Sequence, residues 1–329
     1  MSTFSPDLFF DDALELDERG RPARPRPART RQNPKAGRAE RLTEIVELTD
    51  GAAPGSAVVF RPSLNATSEE RAYIEENLRP FFDAKVITDV TRRVKGGKEA
   101  NVYCCRAHPA TGLDLVAAKL YRPRQIRSLK NDAQYRQGRA LLDASGNVVN
   151  PKDWRLMKAV AGKSRKGLQA EQTSWLEYEY QMLGSLHAAG ADVPRPVRHG
   201  GHTLLMEYIG DETMPAPTLI DVHLTAAEAP ALFERLLHNV GVLLRAGWVH
   251  GDLSAYNVLY WGGEITLIDF PQVADAHANP DARGIFGRDV ARLCGYFARY
   301  GLRADPRQLA RDLWRRHFSG EPARPLPPA

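Results

Sequence analysis

The sequence predicts an α+β fold in two lobes, a strand-rich first half with one long helix and a helical second half with a small hairpin. Segments rich in Val, Tyr and Thr lie between residues 86 and 121 and are broken by glycine-containing turns. From Ala226 onward, apolar residues repeat at helical spacing. Two strand-like segments, NVLYW and EITLIDF, flank Gly262 and Gly263. We expect a cleft between two such lobes.

The predicted elements begin near Thr67, which forms a T-x-x-E capping box with Glu70 at the start of a first helix. VITDVTRRV, ANVYCCRA and LDLVAAKLY are three predicted strands. Residues 122–170 are polar, basic and weakly periodic, so we expect a long insertion that is mobile or functional. A helix is predicted from about Thr173 to Ala189, then a buried strand in HTLLMEYIG. Residues 288–318 are helix-forming.

The composition is typical of a globular protein from a reducing compartment. With 329 residues, of which 43% are hydrophobic and 26% charged, the chain can bury a substantial core. No apolar run approaches the roughly 18 residues that span a bilayer. The acidic N-terminus differs from a signal peptide, which is basic and then apolar. Three cysteines, two of them adjacent, make no disulfide framework. We expect a cytoplasmic protein without membrane contact.

Both ends of the chain are expected to be disordered tails. Residues 1–60 are acidic up to residue 18 and then rich in arginine and proline between residues 19 and 41. The basic stretch could contact RNA phosphates, or it could be a solubilising tail with no partner. Residues 321–329 form the second expected tail. The domain between them is expected at 61–320, with one lobe at about 61–205 and the other at about 211–320.

The segment VHGDLSAYNVLYWGGEITLIDF carries the strongest chemical signal. Asn257 follows Asp252 by five residues, and Asp269 comes twelve residues later. Phosphoryl transfer needs a carboxylate that receives the proton of the attacking hydroxyl and oxygen ligands that hold a cation on the phosphates. Asp252 is therefore the candidate base, and Asn257 and Asp269 are candidate ligands for Mg²⁺ or, alternatively, Mn²⁺. H-x-D-x-x-x-x-N before a strand ending in Asp is the catalytic signature of kinases. A chance match among capping and turn residues is the other interpretation.

Lys119 lies at the end of the apolar segment LVAAKLY, where a lysine is rare unless it is paired. In a kinase this lysine contacts the α- and β-phosphates of ATP and pairs with a glutamate on the first long helix. That helix offers Glu177 and Glu179, and only one of them can face the cleft because residues two apart point to different faces. Without the catalytic signature, a surface lysine with a packed stem would be the better interpretation.

The segment KGGKEANVY joins the first two strands, where a glycine-rich loop that covers phosphates belongs. Gly96 and Gly97 permit a close approach of the backbone to an anion. Lys98 could add a phosphate contact or be a solvated side chain. Two glycines before a strand are also usual in an ordinary hairpin turn, so this signal is weak by itself.

Together these motifs resemble the RIO family of atypical serine/threonine kinases. GKEANVY resembles the family's shortened phosphate loop, and WLEYEYQML resembles its glutamate-bearing helix, in a register that makes Glu179 the lysine partner. LLMEYIG resembles the hinge, HGDLSAYNVLY and IDFPQ the catalytic and metal loops, and RDVARLCGYF the helix that follows. The resemblance covers roughly residues 85–297. The tryptophan-containing helix and the insertion are nearer the first RIO subtype, whereas IDFPQ is nearer the second.

The resemblance implies a bilobal protein-kinase-like fold with a β-rich N-lobe and a compact helical C-lobe, acting on Mg-ATP as a serine kinase or ATPase. It also implies that a conventional activation segment is lacking, in agreement with the absence of A-P-E after Asp269 and with Gly251 in place of the arginine of H-R-D. The metal-binding aspartate of this family can itself be phosphorylated, which makes Asp269 a candidate acyl-phosphate. Family members in archaea and eukaryotes act in small ribosomal subunit maturation, which is compatible with RNA or ribosome contact through residues 19–41.

The resemblance further assigns the nucleotide pocket. It puts Met206 at the back of the adenine pocket and includes Val102 among the residues that bind the nucleotide. The backbones of Glu207 and Ile209 then face the adenine edge. The family often has Ser or Thr just before the GK of the phosphate loop, where this chain has Gly96, so a hydroxyl contact to phosphate is not expected here.

Two other functions stay open. Small-molecule kinases of the aminoglycoside or choline phosphotransferase type also use H-G-D-x-x-x-x-N, but they continue with D-x-x-D, where this chain has Gln272. A binding protein whose ATP site acts as a conformational switch would keep every catalytic group and hydrolyse ATP slowly. The sequence does not specify a protein substrate, because substrate grooves are spread over many residues. Autophosphorylation is one of the options.

Overall fold

A five-stranded antiparallel sheet forms the first half of the protein. The computed structural model describes residues 59–97, 100–122 and 139–318, all within the unit that spans Ala57–Ala329. The strands are β1 (Ile87–Gly96), β2 (Ala100–Ala107), β3 (Leu115–Tyr121), β4 (Pro196–Gly200) and β5 (Thr203–Glu207). Their order in the sheet is β1-β2-β3-β5-β4. The three predicted N-terminal strands and the strand in HTLLMEYIG are confirmed, whereas β4 had not been predicted.

Helix α1 (Ser68–Asp83) packs against the sheet by burying Ile74 and Leu78. Its predicted start is confirmed, because the Thr67 hydroxyl accepts a hydrogen bond from the Glu70 N–H at 3.2 Å. The second half of the capping box is not formed. The Glu70 carboxylate instead accepts hydrogen bonds from Tyr103 and Arg93 on the sheet. Two apolar residues ahead of the helix, Phe60 and Leu64, are also buried in this core.

The second part of the long insertion predicted at 122–170 contains helices. Residues 123–138 lie outside the described ranges, but helix α2 (Trp154–Ala161) and the first turns of helix α3 (Arg165–Ala188) follow. Helix α3 thus begins at Arg165, capped by Ser164, and not at Thr173 as predicted. No residue of α2 is buried, but Trp154, Met157 and Val160 recur at helical spacing, so an apolar period was an available signal for this helix. Gly167 permits the close approach of the two helices, since a Cβ there would lie 2.0 Å from the Ala159 carbonyl oxygen.

The second half is helical around small two-stranded sheets. Its helices are α4 (Glu228–Arg245), α5 (Ala282–Phe297) and α6 (Pro306–Phe318). The predicted hairpin is present as β7 (Val258–Trp261) and β8 (Glu264–Leu267), while β6 (Trp248–Val249) pairs with β9 (Ala274–Asp275). The helix-forming region expected at 288–318 begins earlier, at Ala282, and is two helices. Between them the chain turns at Gly301, which has a φ of 85°.

The predicted α+β class with a β-rich N-lobe and a helical C-lobe is confirmed. We use N-lobe for the described residues up to Glu207 and C-lobe for those from Asp211 onward. One apolar core joins them, because Trp175, Leu183 and Leu204 of the N-lobe belong to the same cluster as Leu236 and Phe270 of the C-lobe. Only residues 270–281 separate Asp269 from α5.

The three cysteines are buried and free, as expected for a chain without a disulfide framework. Two of them lie side by side in β2, at Cys104 and Cys105. Across the described ranges, no helix combines the length and the apolar character that a membrane span requires.

Candidate active site

Lys119 joins three elements of the protein at one point. From β3, its Nζ lies 3.0 Å from Glu179 Oε1 of α3 and 2.9 Å from Asp269 Oδ1, just after β8. Burial alone would lower the pKa of this lysine, but the two carboxylates outweigh burial and raise it well above its usual value. The same contact lowers the pKa of Asp269. Lys119 and Asp269 are therefore both charged at neutral pH.

The Glu179 carboxylate is held by a second group that the sequence analysis missed. The Tyr121 hydroxyl donates a hydrogen bond to Glu179 Oε2, so both carboxylate oxygens have a partner. Burial raises the pKa of Tyr121 well above its usual value, which keeps the donor protonated. The Tyr121 ring packs edge-on against Trp175 at 4.3 Å and lies 5.1 Å from the Lys119 Nζ. The signal was available, since Tyr121 shares a face of β3 with Lys119 at a spacing of two.

Glu177 points away from the cleft, as the helical spacing predicts for one of the two glutamates. Its Oε2 lies 3.1 Å from His199 Nε2 on β4, and its Oε1 accepts a hydrogen bond from Gln181 at 2.9 Å. The side chains of Glu177 and Glu179 are both buried, at 5% and 3% exposure, but they serve opposite sides of α3. Glu179 is thus the residue that contacts Lys119.

Asp252 and Asn257 are in direct contact in the loop between β6 and β7. The Asn257 Nδ2 donates to the Asp252 carbonyl oxygen at 2.9 Å and to its Oδ2 at 3.1 Å. This arrangement commits the amide nitrogen to Asp252 and leaves the Asn257 carbonyl Oδ1 for another ligand. The other carboxylate oxygen of Asp252, Oδ1, accepts a hydrogen bond from Arg292 Nη1 at 2.7 Å.

The loop backbone is anchored by a buried carboxylate, Asp289 of α5, which the sequence analysis also missed. Its Oδ2 accepts from the Gly251 N–H at 2.8 Å and its Oδ1 from the Leu253 N–H at 3.1 Å. Burial raises the pKa of Asp289 to about 7, against the lowering effect of the two N–H groups. A carboxylate on the apolar face that carries Ile285 and Val290 was the available signal. Gly251 adopts a φ of 86°, a conformation that favours glycine at this position beside Asp252.

His250 links the loop that carries Asp252 to the segment that carries Asp269. Burial lowers its pKa to about 4, so the imidazole is neutral at pH 7. Its Nε2–H faces the Ile268 carbonyl oxygen at 3.2 Å, while its Nδ1 accepts from the Asp252 N–H at 3.4 Å. One neutral tautomer satisfies both contacts. Asp269 itself has a left-handed backbone with a φ of 70°, which is uncommon for a residue other than glycine and clusters at functional sites.

An apolar patch under the sheet includes two of the residues assigned to nucleotide binding. Cys104, Ala117 and Tyr208 are its buried members, and Val102 and Met206 pack against them. Val102 lies directly opposite Lys119 in the β2–β3 ladder. The apolar patch is therefore directly adjacent to Lys119 in the sheet.

The hinge positions Glu207 and Ile209 each use one main-chain group inside the protein. The Glu207 N–H donates to the Arg195 carbonyl oxygen at 2.8 Å, and the Ile209 carbonyl oxygen accepts from the Ala216 N–H at 3.0 Å. Within the described ranges no hydrogen bond uses the Ile209 N–H. It is available to a ligand.

The glycine-rich segment closes the β1–β2 hairpin. Gly96 pairs with Asn101 in the ladder, and the Gly97 N–H donates to the Ala100 carbonyl oxygen at 3.0 Å. A Cβ on Gly97 would lie 3.0 Å from that oxygen, so hairpin geometry alone accounts for the glycine. Lys98 lies outside the described residues. A role of this segment toward phosphate stays a prediction.

Comparisons with known proteins come from a family model and from curated relatives. The model for the RIO domain matches residues 101–309. Serine/threonine-protein kinase RIO1 of Homo sapiens is 29% identical over 243 residues, which cover 71% of this chain and 39% of that protein. RIO-type serine/threonine-protein kinase Rio1 of Haloferax volcanii is 31% identical over 216 residues, 64% of each chain. Serine/threonine-protein kinase rio2 of Schizosaccharomyces pombe is 27% identical, covering 64% of this chain and 52% of that protein. The chain thus spans less than half of the human relative.

Proposed function

Because the chain belongs to the RIO domain family, we propose that it is an ATP-dependent phosphotransferase, a serine/threonine kinase or ATPase of RIO type. The observation that carries this proposal is the contact of Lys119 with both Glu179 and Asp269, at 3.0 and 2.9 Å. A lysine paired with a glutamate of the long helix, and close to a metal-binding aspartate, is the arrangement that kinases use to hold ATP phosphates.

The nucleotide would bind between the apolar patch and Lys119. Val102 and Met206 supply apolar contact for the adenine, and the unused Ile209 N–H can donate to its edge. The Glu207 backbone is the other candidate for that edge. The Lys119 ammonium group would donate hydrogen bonds to the α- and β-phosphates, and its contact with Glu179 would keep it oriented toward them. Phosphate contacts from Gly96, Gly97 and Lys98 complete the proposed site.

The donor set of Asn257 and Asp269 fits Mg²⁺, with Mn²⁺ as the alternative. Both side chains offer hard oxygens, and the Asn257 amide is already turned so that its Oδ1 is free for a cation. Within the described ranges no group of three or more His, Cys, Asp or Glu forms a protein-only cage. Mg²⁺ characteristically binds through one or two protein ligands together with substrate phosphates. Bound there, the cation would neutralise charge on the phosphate oxygens.

In the proposed reaction the acceptor oxygen attacks the γ-phosphorus of ATP, the bond to the β,γ-bridging oxygen breaks, and ADP leaves. Asp252 receives the proton of the attacking hydroxyl or water. Asp252 is 39% exposed and can return that proton to solvent. Asp269 can serve as the acceptor itself, which would give the aspartyl-phosphate that the family resemblance implies. For this Asp269 must leave Lys119.

Some features of the proposal involve residues outside the described ranges. Contact with RNA or the ribosome through residues 19–41 is one, and the C-terminal tail expected at 321–329 is another. Autophosphorylation and a separate protein substrate are both compatible with the site. A cytoplasmic location stays a prediction.

Incubation of the full chain with γ-labelled ATP and Mg²⁺ tests the proposal. We would follow both free phosphate and label on protein, alongside Asp252→Ala and Asp269→Ala. Asp312→Ala, an exposed carboxylate on α6, is the matched control. We expect turnover in the wild type and control and a large loss in the two site variants.

The partition of label then separates the functions. Acid-stable label on protein indicates a serine/threonine kinase, whereas free phosphate with only hydroxylamine-sensitive label indicates an ATPase switch working through an aspartyl-phosphate. If the wild type shows neither, the proposed function is wrong and a small-molecule acceptor becomes the better hypothesis.

A further inference from the structure

Arg292 contacts the Asp252 carboxylate from outside the loop that carries Asp252 and Asn257. It lies on α5, forty residues along the chain, and its Nη1 is 2.7 Å from Asp252 Oδ1. The same nitrogen is 3.9 Å from Asp289 Oδ1, one helical turn earlier. One face of α5 thus contacts the loop in two ways. Asp289 binds the loop backbone, and Arg292 binds the side chain that would act as base.

The contacts leave the carboxylate little rotational freedom. Asn257 Nδ2 holds Oδ2 and Arg292 Nη1 holds Oδ1, so rotation of the Asp252 side chain would break one hydrogen bond or both. A charge-assisted bond from a planar guanidinium also has a defined direction. The remaining lone pairs of the carboxylate therefore point in a set direction, away from both donors.

Stability is a poor explanation for this pair. The side chains of Arg292 and Asp252 are 46% and 39% exposed. Exposed ion pairs add little to folding stability, because water and salt screen the charges and two flexible side chains must be ordered. The Arg292–Asp252 contact therefore adds little stability. Its main consequence is that it orients the proposed base.

We propose that Arg292 is a positioning residue for phosphoryl transfer, whose guanidinium holds Asp252 so that its free lone pair faces the acceptor hydroxyl. This inference rests on the proposed function. Arg292 does not touch the transferred proton, which passes from the acceptor oxygen to Asp252. A misdirected base lowers the rate of transfer without weakening nucleotide binding.

The test compares Arg292→Ala and Arg292→Lys with Arg283→Ala, an exposed arginine in the first turn of the same helix. We expect Arg292→Ala to lower kcat by about 10- to 100-fold, the scale of a misplaced catalytic group. The KM for ATP should change by less than about twofold. Arg292→Lys should recover part of the loss, and added ethylguanidinium should restore Arg292→Ala but not Asp252→Ala. Arg283→Ala should match the wild type, and all melting temperatures should agree within about 2 °C.

A second measurement does not depend on turnover. Water-soluble carbodiimide modifies accessible carboxyl groups, and peptide mass spectrometry gives the rate at Asp252. Removal of the guanidinium that covers Oδ1 should raise this rate several-fold in Arg292→Ala but not in Arg283→Ala. An unchanged rate would show that Arg292 does not hold Asp252, even if the wild type proves to have no ATP turnover.

The kinetic outcomes separate the two proposals. No turnover by the wild type contradicts the proposed function, and the labelling rate still decides whether Arg292 holds Asp252. Normal turnover by Arg292→Ala contradicts only the positioning role. A large loss of melting temperature without rescue by ethylguanidinium would assign Arg292 a structural role instead.

Discussion

The two charged centres of the cleft, one around Lys119 in the N-lobe and one around Asp252 in the C-lobe, are held in different ways. Lys119 is 11% exposed and its partner Glu179 only 3%, and both lie against apolar and aromatic side chains. Asp252 is 39% exposed and lies in a loop whose backbone N–H groups donate hydrogen bonds to the buried Asp289 carboxylate. The Lys119–Glu179 pair of the first centre is fixed by burial, whereas Asp252 is fixed by directed hydrogen bonds.

This difference has consequences for energetics. Removing one partner of a buried pair leaves an uncompensated charge, which costs stability as well as function. Removing a half-exposed group leaves a charge that water can solvate, so the effect falls on the reaction. We therefore expect changes around Lys119 to affect ATP binding and stability together, whereas changes to the Asp252 side chain should affect turnover alone.

The largest effect that we predict in the supporting residues is at Asp289. In Asp289→Asn an amide replaces a carboxylate that accepts two main-chain N–H groups, and the new NH₂ would face one of those donors. Turnover should fall by about 100-fold, as for a displaced catalytic group. Unfolding free energy should fall by about 1–3 kcal/mol because a buried donor loses its acceptor. Steady-state kinetics measure the turnover and urea unfolding measures the free energy of unfolding, with Asp312→Asn as the control. If Asp289→Asn keeps the wild-type kcat, the loop that carries Asp252 does not depend on this anchor.

In the N-lobe, Glu179→Gln should be compared with Glu177→Gln on the opposite side of the same helix. The first change removes the charge that orients Lys119, and we expect kcat/KM for ATP to fall by about tenfold, equivalent to about 1.4 kcal/mol. Glu177→Gln removes a carboxylate that faces His199, so it should alter stability but leave kcat/KM within about twofold. An equal fall of kcat/KM in the two variants would contradict a specific role of the Glu179–Lys119 contact in ATP use.

The raised pKa of Asp289 predicts a pH dependence of stability. Its pKa is 3.8 in the unfolded chain and about 7 in the folded protein, so between these values the folded state binds more protons. This group's contribution to stability is full below about pH 4 and is lost as pH rises to about 7. Each tenfold difference in proton affinity between the folded and unfolded chain corresponds to about 1.4 kcal/mol of that contribution.

Urea unfolding of wild type and Asp289→Asn between pH 4 and pH 8 isolates this contribution, because asparagine does not titrate. The wild type should become less stable relative to the variant as pH rises. A difference that stays constant across this range would contradict a raised pKa at Asp289.

The smallest effect on ATP turnover is predicted for Tyr121→Phe. The change removes the donor to Glu179 Oε2, while Lys119 still holds Oε1. We expect about 1–3 kcal/mol of lost stability, because a buried carboxylate oxygen loses its partner. The fall in kcat/KM for ATP should be only a few-fold. Tyr260→Phe, whose hydroxyl binds Glu228 at the protein surface, should cost less stability than Tyr121→Phe; the reverse order would contradict the idea that burial sets the size of the effect.

Sequence reasoning worked where chemistry and local period agree. The spacing from Asp252 to Asp269 and the lysine in an apolar strand indicated groups that the structure brings together in two contacting sets. The helical spacing of Glu177 and Glu179 correctly predicted that only one could face the cleft. Their catalytic and binding roles stay predictions, because contacts alone do not measure a reaction.

The residues that were missed are those whose role depends on distant contacts. Asp289 and Arg292 act on a loop about forty residues earlier, and Tyr121 acts on a helix almost sixty residues later. No local pattern marks such a pairing, although a carboxylate on an apolar helix face was a usable hint. Helix α2 was missed for a different reason, because its eight residues lie in a polar and basic stretch that hid their own apolar period.

Single-turnover phosphate release by wild type and Asp252→Ala, each with its ATP affinity measured by calorimetry, tests the central claim most directly. The base acts on the attacking hydroxyl or water and not on the nucleotide, so the variant should bind ATP within about twofold of the wild type. Its rate should be lower by about 100- to 10,000-fold, the contribution of general base catalysis. A variant that turns over at the wild-type rate, or one that loses ATP binding along with activity, would contradict the role assigned to Asp252.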